Sequence, residues 1–282
     1  MRRGDLILRH GNRVAGVALG ADNTIVAAAY DGLVYYERDG QPRWRIDGGD
    51  LLHPAFTADA LLVGGDRCVV ELDLDTGERR STITASTTVF SVAVSGSRIA
   101  IGGRPRVELW ERGERRWTFE AGKPTKIFTP PVHAVNFSAD GTRLVVVCAK
   151  QAIVLDAATG ERLYAANVDR FGASSAVFTA DGMIATVGTA GTIDIRDPRR
   201  KTKTAVRSIA ADMKSGALAM SPDRTRLLAG GKGRVGLWDV ATGAQLATLE
   251  GPQSAVDAVA LSRDGTHAAA VGTDNAVFVW QL

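Results

Sequence analysis

Leu227-Leu228-Ala229-Gly230-Gly231-Lys232-Gly233-Arg234-Val235-Gly236-Leu237-Trp238-Asp239, then Val240-Ala241-Thr242-Gly243 and Gln245-Leu246-Ala247-Thr248-Leu249, is the stretch on which the fold turns. It reads as an apolar strand, a glycine-containing bend, a second apolar strand, a Thr-Gly turn and a third strand. Upstream, Ser221-Pro222-Asp223-Arg224 is a turn closing a hairpin with the run that begins at Ser215. The unit is therefore four short strands joined by tight turns.

The same unit recurs over Val132 to Tyr164 and Ala255 to Leu282, with turns Ser138-Ala139-Asp140-Gly141 and Ser262-Arg263-Asp264-Gly265. A repeat of about 40 residues that holds four strands is the period of a propeller blade. The expectation is an all-β, seven-bladed β-propeller of four-stranded antiparallel blades, forming one domain over residues 1–282. The sequence stops at Trp280-Gln281-Leu282, one strand short of a complete blade. Asp5-Leu6-Ile7-Leu8 precedes Val14-Ala15-Gly16-Val17 much as Gln245-Leu246-Ala247-Thr248 precedes Val256-Asp257-Ala258-Val259. Residues 5–9 should therefore supply the outer strand of the last blade and close the ring, because an open ring leaves unpaired edges.

Leu237-Trp238-Asp239 after Leu227-Leu228-Ala229-Gly230-Gly231, together with the Ser-x-Asp-Gly turns, resembles the WD-repeat family over essentially the whole chain. Alignment of the units puts Glu37, Asp73, Trp110, Asp156, Arg196, Trp238 and Trp280 at the family's Trp position. The repeats are degenerate, and Leu72-Asp73-Leu74-Asp75-Thr76-Gly77-Glu78 and Leu155-Asp156-Ala157-Ala158-Thr159-Gly160-Glu161 are more similar to quinoprotein-type propeller repeats. The family's Gly-His pair is missing, since Pro252 follows Gly251. Apolar packing between blades must replace the network built on that His.

Composition fits an ordinary globular chain: 282 residues, 45% hydrophobic, 23% charged, 31 glycines and a net charge of +3. No apolar run reaches the length of a membrane span, and Leu6-Ile7-Leu8 after Arg2-Arg3 is too short for a signal peptide's apolar region. The expectation is a soluble, cytoplasmic protein, a monomer or a subunit of a hetero-complex. Cys68 and Cys148 lie in apolar runs without a Cys-x-x-Cys spacing and read as buried thiols.

Chemistry is sparse. His10, His53, His133 and His267 form no metal-ligand cluster, no Gly-x-Ser-x-Gly elbow is present, and Gly230-Gly231-Lys232-Gly233 lacks the spacing and Ser/Thr of a phosphate loop. No cofactor and no catalytic residue is expected. Asn136-Phe137-Ser138 fits the glycosylation pattern, but it falls in an inner strand. Trp44 and Trp117, flanked by arginines, read as packing between blades or as a stacking surface for nucleobases. Arg199-Arg200-Lys201 reads as a solvated charge run.

Stacking the repeats brings out one further pattern. The bends between second and third strands carry Asp31, Arg67, Arg104, Lys150, Ala190, Lys232 and Asp274, four of them basic. In the family these bends share a face with the loops linking blades, so Arg67, Arg104, Lys150 and Lys232 form a basic arc there, extended by Lys123 and Lys126. The arc suits an acidic protein surface or a phosphate-rich ligand, and it is equally the charge expected of any exposed bend. The first-strand openings place Ala15, Leu52, Phe90, His133, Ser174, Gly216 and Asp257 on the same face, and the resemblance implies that this rim contacts partners. The candidate contact residues are Arg67, Phe90, Arg104, His133, Lys150, Lys232 and Asp257. The leading expectation is a non-catalytic scaffold or adaptor that binds proteins. Two alternatives are a nucleic-acid or phosphate-ligand binder using the arc and an enzyme with a central-channel site.

Overall fold

A computed structural model of the chain describes residues 2–3, 6–49, 51–125, 127–168, 173–188, 190–200, 204–213 and 216–282, so Asp5, Lys126 and Lys201 lie outside the described residues. Every regular element among them is a β-strand. Two short strands come first, β1 (Arg2–Arg3) and β2 (Leu6–Arg9). Blade 1 is β3 (Val14–Leu19), β4 (Ile25–Ala29), β5 (Gly32–Tyr36) and β6 (Pro42–Asp47). Blade 2 is β7 (His53–Phe56), β8 (Ala60–Gly65), β9 (Cys68–Asp73) and β10 (Arg79–Thr84). Blade 3 is β11 (Ser91–Ser95), β12 (Arg98–Gly102), β13 (Arg106–Glu111) and β14 (Glu114–Glu120), and blade 4 is β15 (Val132–Phe137), β16 (Arg143–Cys148), β17 (Gln151–Asp156) and β18 (Arg162–Asn167). Blade 5 is β19 (Ala173–Phe178), β20 (Ile184–Gly188), β21 (Thr192–Arg196) and β22 (Arg207–Ala210), and blade 6 is β23 (Ala217–Met220), β24 (Arg226–Gly231), β25 (Arg234–Asp239) and β26 (Gln245–Glu250). Blade 7 is β27 (Val256–Leu261), β28 (His267–Gly272), β29 (Ala276–Gln281) and, from the start of the chain, β2. The fold is a seven-bladed β-propeller, each blade built on four antiparallel strands.

The chain divides into two compact units. The first, Met1–Gly65, Val70–Ser81 and Gly216–Leu282, holds blades 6, 7 and 1 with most of blade 2. The second, Asp66–Val69 and Thr82–Ser215, holds blades 3, 4 and 5 with the β8–β9 bend and the end of β10.

The second and third strands of a blade are covered on both faces, so they read as unbroken apolar runs. β4 is IVAAA and β28 is HAAAVG, both buried throughout. Outer strands have one face in water and alternate, as β6 and β18 do. Apolar clusters join neighbouring blades: Val107, Leu109, Val132, Leu144 and Leu155 link blades 3 and 4, and Val17, Ile25, Ala27, Val271, Val277 and Val279 link blades 7 and 1. Each fully buried Val or Leu contributes about 1.5–3 kcal/mol. This is the packing expected in place of the absent Gly-His pair.

In the last blade β2 lies antiparallel on β29, from Leu6 opposite Val279 to Arg9 opposite Ala276, and Leu8 is buried. The expected completion of this blade by the N-terminal strand is therefore present. One addition was not foreseen. β1 pairs in parallel with β26, Arg2 opposite Leu249 and Arg3 opposite Glu250, as a fifth strand on blade 6.

Pairing register corrects the alignment of the Trp positions. Trp238 faces Leu227, one residue inside β24, and Trp110 faces Ile99, one residue inside β12. The residue facing Leu144 at the same place in β16 is Leu155, and Ile25 faces Tyr36. Asp73, Asp156 and Asp239 share one turn, in which the amide of Gly77, Gly160 or Gly243 donates back to the Asp carbonyl. Asp73 and Asp156 are thus counterparts of Asp239. Leu72 and Leu155 stand where Trp238 does, and Tyr36 rather than Glu37 does so in blade 1. Cys148 is buried and Cys68 only half-buried; both thiols are free, and burial pushes the Cys148 pKa up to about 11.

Candidate functional site

The bends between second and third strands are tied to the points where the chain leaves each blade. The amide of the residue soon after the outer strand donates to a bend carbonyl: Gly48 to Asp31 (2.9 Å), Ala85 to Arg67 (3.0 Å), Ala121 to Pro105 (2.9 Å), Val168 to Lys150 (3.0 Å) and Met213 to Gly191 (3.0 Å). In blade 7, whose outer strand is β2, His10 donates to Asn275 (2.9 Å). Blade 6 differs, with a bridge between Lys232 and Ala255 and a bond from the Gly233 amide to the Ser254 carbonyl (2.7 Å). Bend and linking loop form one rim within each blade.

The first-strand positions reach this rim by a device that a linear reading does not reveal. In blades 1, 4, 5 and 7 the ladder skips one residue, between Val14 and Gly16, Val132 and Ala134, Ala173 and Ser175, and Val256 and Ala258. The skipped residues are Ala15, His133, Ser174 and Asp257. A bulge of this kind re-aims one side chain out of the pleat. Leu52, Phe90 and Gly216 instead lie just before β7, β11 and β23.

Five of the seven candidate residues, Arg67, Phe90, Arg104, His133 and Lys150, fall in the second unit. The Arg104 guanidinium carbon sits 4.8 Å from the centroid of the Phe90 ring, and the Arg104 amide donates to Thr87 Oγ1 at 2.9 Å. Cation–π contacts of this kind are worth about 0.5–1 kcal/mol at an exposed site. The His133 imidazole titrates below its ordinary value, because the protein on one side of the ring displaces water although His133 as a whole is exposed, and because the Arg104 charge opposes a second cation. Phe90 and Arg104 therefore form one cluster, and His133 lies within reach of the Arg104 charge. Arg67 and Lys150 are exposed on the neighbouring bends, and neither they nor Arg104 form an ion pair with a described carboxylate. Arg67 also has φ +54°, at a position just before the third strand that Gly191, Gly233 and Asn275 take in other blades. A left-handed conformation costs a bulky side chain about 1–2 kcal/mol.

The other two candidates lie in the first unit. Lys232 is exposed. Asp257 is engaged by Arg13, which donates through Nε (3.0 Å) and Nη2 (2.9 Å) to its two oxygens. Arg13 is half exposed, so the pair contributes at most about 1 kcal/mol. The pair fastens the approach to blade 1 onto blade 7.

Other sequence features resolve into packing. Trp44 Nε1 donates to the Leu74 carbonyl (2.9 Å) and Trp117 Nε1 to the Ala157 carbonyl (3.1 Å), so each indole is docked on the next blade's Thr-Gly turn. Asn136 Nδ2 donates to the Ala176 carbonyl at 2.9 Å across blades 4 and 5. Arg199 and Arg200 both pair with Asp197. Among the described residues no three His, Cys, Asp or Glu side chains gather as a metal site would require, and no helix is long and apolar enough to cross a membrane.

One feature of this rim was missed in the sequence. The connection between β14 and β15 carries Ile127, 97% exposed, beside Phe128, 56% exposed. The signal was an apolar pair inside a long connection bounded by Gly122-Lys123-Pro124 and Pro130-Pro131.

A family model described as WD domain, G-beta repeat matches residues 243–281. The match runs from the Thr-Gly turn before β26 through β29, which is one repeat set across two blades. No curated protein matches the chain. One matched repeat and seven four-stranded blades together support a WD-repeat β-propeller.

Proposed function

We propose that the chain is a protein-binding platform and that its docking surface is the rim of the second unit, centred on Phe90, Arg104 and His133 and flanked by Arg67 and Lys150. WD-repeat propellers generally mediate protein–protein interaction and are typically non-catalytic. The observation that carries the reading is the Arg104–Phe90 pair at 4.8 Å, with His133 beside it and no described carboxylate in an ion pair with Arg104. An aromatic ring under an arginine is the composition of an interface anchor. Unneutralised cations on the adjacent bends favour an acidic partner surface.

The test compares partners captured from nuclease-treated native lysate by the wild type and by a variant with Arg67→Glu, Arg104→Glu and Lys150→Glu. All three side chains are exposed, so the variant should fold and melt cooperatively, with a shift no larger than the loss of the Arg104–Phe90 contact. Loss of nuclease-resistant protein partners is the expected result. An unchanged set of partners overturns the reading, and a bound fraction that disappears with nuclease would replace it with nucleic-acid binding.

A further inference from the structure

We propose that the connection between blades 3 and 4 forms, with Phe90 and Arg104, a clamp for a linear acidic peptide bearing aliphatic or aromatic side chains; this rests on the platform reading above. The connection leaves and re-enters the fold at one place, the bend of blade 3. Ala121 donates to the Pro105 carbonyl (2.9 Å) at its start, and Val132 donates to the Gly103 carbonyl (2.9 Å) at its end. Arg104 lies between those two acceptors. A Cβ on Gly122 would come within 2.7 Å of Pro130 and 2.9 Å of Cys148, so the stem is closely packed.

Beyond the stem, the Thr125 amide donates to the Phe128 carbonyl (2.8 Å), the Phe128 amide donates to Thr125 Oγ1 (3.0 Å), and that hydroxyl donates to the Phe128 carbonyl (3.0 Å). Thr125 and Phe128 are thus tied to one another, and the Ile127 and Phe128 side chains face solvent. Adjacent large apolar side chains at 97% and 56% exposure differ from singly exposed ones such as Leu163 or Leu246, which any surface carries.

The charges of this rim define the partner. Arg67, Arg104, Lys123 and Lys150 are exposed, and none has an ion pair to a described carboxylate. Of the nearby acids, Glu120 is paired with Arg106, Asp66 accepts from the Thr88 hydroxyl (2.8 Å), and Glu108 is buried, accepting from the Ser86 amide (2.9 Å) and the Trp110 indole (2.8 Å); none of them pairs with Arg67, Arg104, Lys123 or Lys150. The site therefore presents an exposed apolar pair together with cations on successive bends that form no ion pair with a described carboxylate. An extended segment with alternating acidic and apolar side chains meets both requirements.

The experiment pans a random dodecapeptide display library against the whole chain, then measures the consensus peptide by fluorescence anisotropy against Arg104→Glu and against an Ile127→Ser, Phe128→Ser double variant. Enriched peptides should combine Asp or Glu with Phe, Leu or Ile. Affinity should fall at least tenfold in each variant, with melting unchanged because the altered side chains are exposed. The proposal is overturned if no acidic–apolar motif enriches, or if the motif binds the Ile127, Phe128 variant as well as the wild type. It is also overturned if no peptide enriches while sedimentation with phosphatidylserine–phosphatidylcholine vesicles depends on those two residues, which would make the tip a membrane contact. If the Arg67, Arg104, Lys150 variant loses its protein partners and the Ile127, Phe128 variant keeps them, the platform stands and the clamp falls.

Discussion

Gly77 and Gly160 carry φ values of +73° and +75°, and a Cβ on either would lie 2.7 Å from an indole carbon, of Trp44 or Trp117 respectively. Each glycine combines a backbone conformation that L side chains avoid with a contact no side chain could share. Gly77→Ala or Gly160→Ala should therefore destabilise by about 1–3 kcal/mol, while Gly113→Ala, at φ +80° with nothing within 4 Å of the new carbon, should cost only the backbone strain. Thermal melts of the three variants test this: at roughly 2–4 °C per kcal/mol for a chain this large, equal shifts would mean that the indole contact adds nothing. Both turns and both tryptophans were visible in the sequence, but not that they meet. Trp44 bonds a carbonyl 30 positions on and Trp117 one 40 positions on, and no local pattern encodes that distance. Arg67 supplies a second prediction. Asparagine tolerates the left-handed region and holds it as Asn275 in blade 7, so Arg67→Asn should raise stability by up to about 1 kcal/mol and weaken partner capture. A variant that is less stable, or that binds unchanged, would mean the strain at this arginine serves no contact.

Within the last blade, β2 supplies both a ladder and a core side chain. It pairs with β29 over four residues, and Leu8 packs with Val277 and Val279. Removal of residues 1–12 would expose the edge of β29 and leave its apolar face in water, a template for pairing with other chains. The truncated protein should elute as soluble aggregate and scatter light; a monodisperse, cooperatively melting truncation would show that blade 7 is stable with three strands. The strand order was legible because each turn type recurs at a fixed place: Ser-x-Asp before the second strand, a bend before the third, and Thr-Gly before the outer one. The bulges at Ala15, His133, Ser174 and Asp257 were not, because an extra residue exists only relative to a partner strand. The displaced Trp positions in blades 1, 2 and 4 have the same origin: Leu72, Leu155 and Tyr36 announce no motif, whereas the acidic residue after each does. Of the candidate site, the bends were readable as repeats. The Ile127–Phe128 tip belongs to no repeat, so stacking the units could not bring it forward.

Across the molecule, the turns that mark the repeats also set how stability responds to acid. Hydroxyls and amides of the turns donate to Asp140 and Asp223, holding both carboxyls at about 2, and do the same for Asp264, which also lies well below its ordinary range. Asp73 is held at about 2 by the Thr76 amide and Arg80, and Asp156 is lowered by the Thr159 amide. An unfolded chain binds protons at these carboxyls near pH 4, while the folded chain resists them to lower pH, down to about 2 at Asp73, Asp140 and Asp223. Their stabilisation is complete above pH 4 and is lost as pH falls toward 2. The histidines act in a higher window with the same sign. Burial lowers His53 to about 4 and lowers His10 and His133 as well, so the unfolded chain takes up protons near pH 6.5 that the fold refuses. Stability should therefore decline in two stages as pH drops, first between 6.5 and 4 and then between 4 and 2. His53→Asn should reduce the first stage and leave the second, and Asp140→Asn with Asp223→Asn should reduce the second and leave the first. Denaturant melts at pH 7, 5, 4 and 3 separate them: a wild-type stability independent of pH between 7 and 4 would show that the histidines are not desolvated in the fold. An unaltered acid limb in the double Asn variant would show that the turn hydrogen bonds do not distinguish the ionised carboxyls from neutral ones.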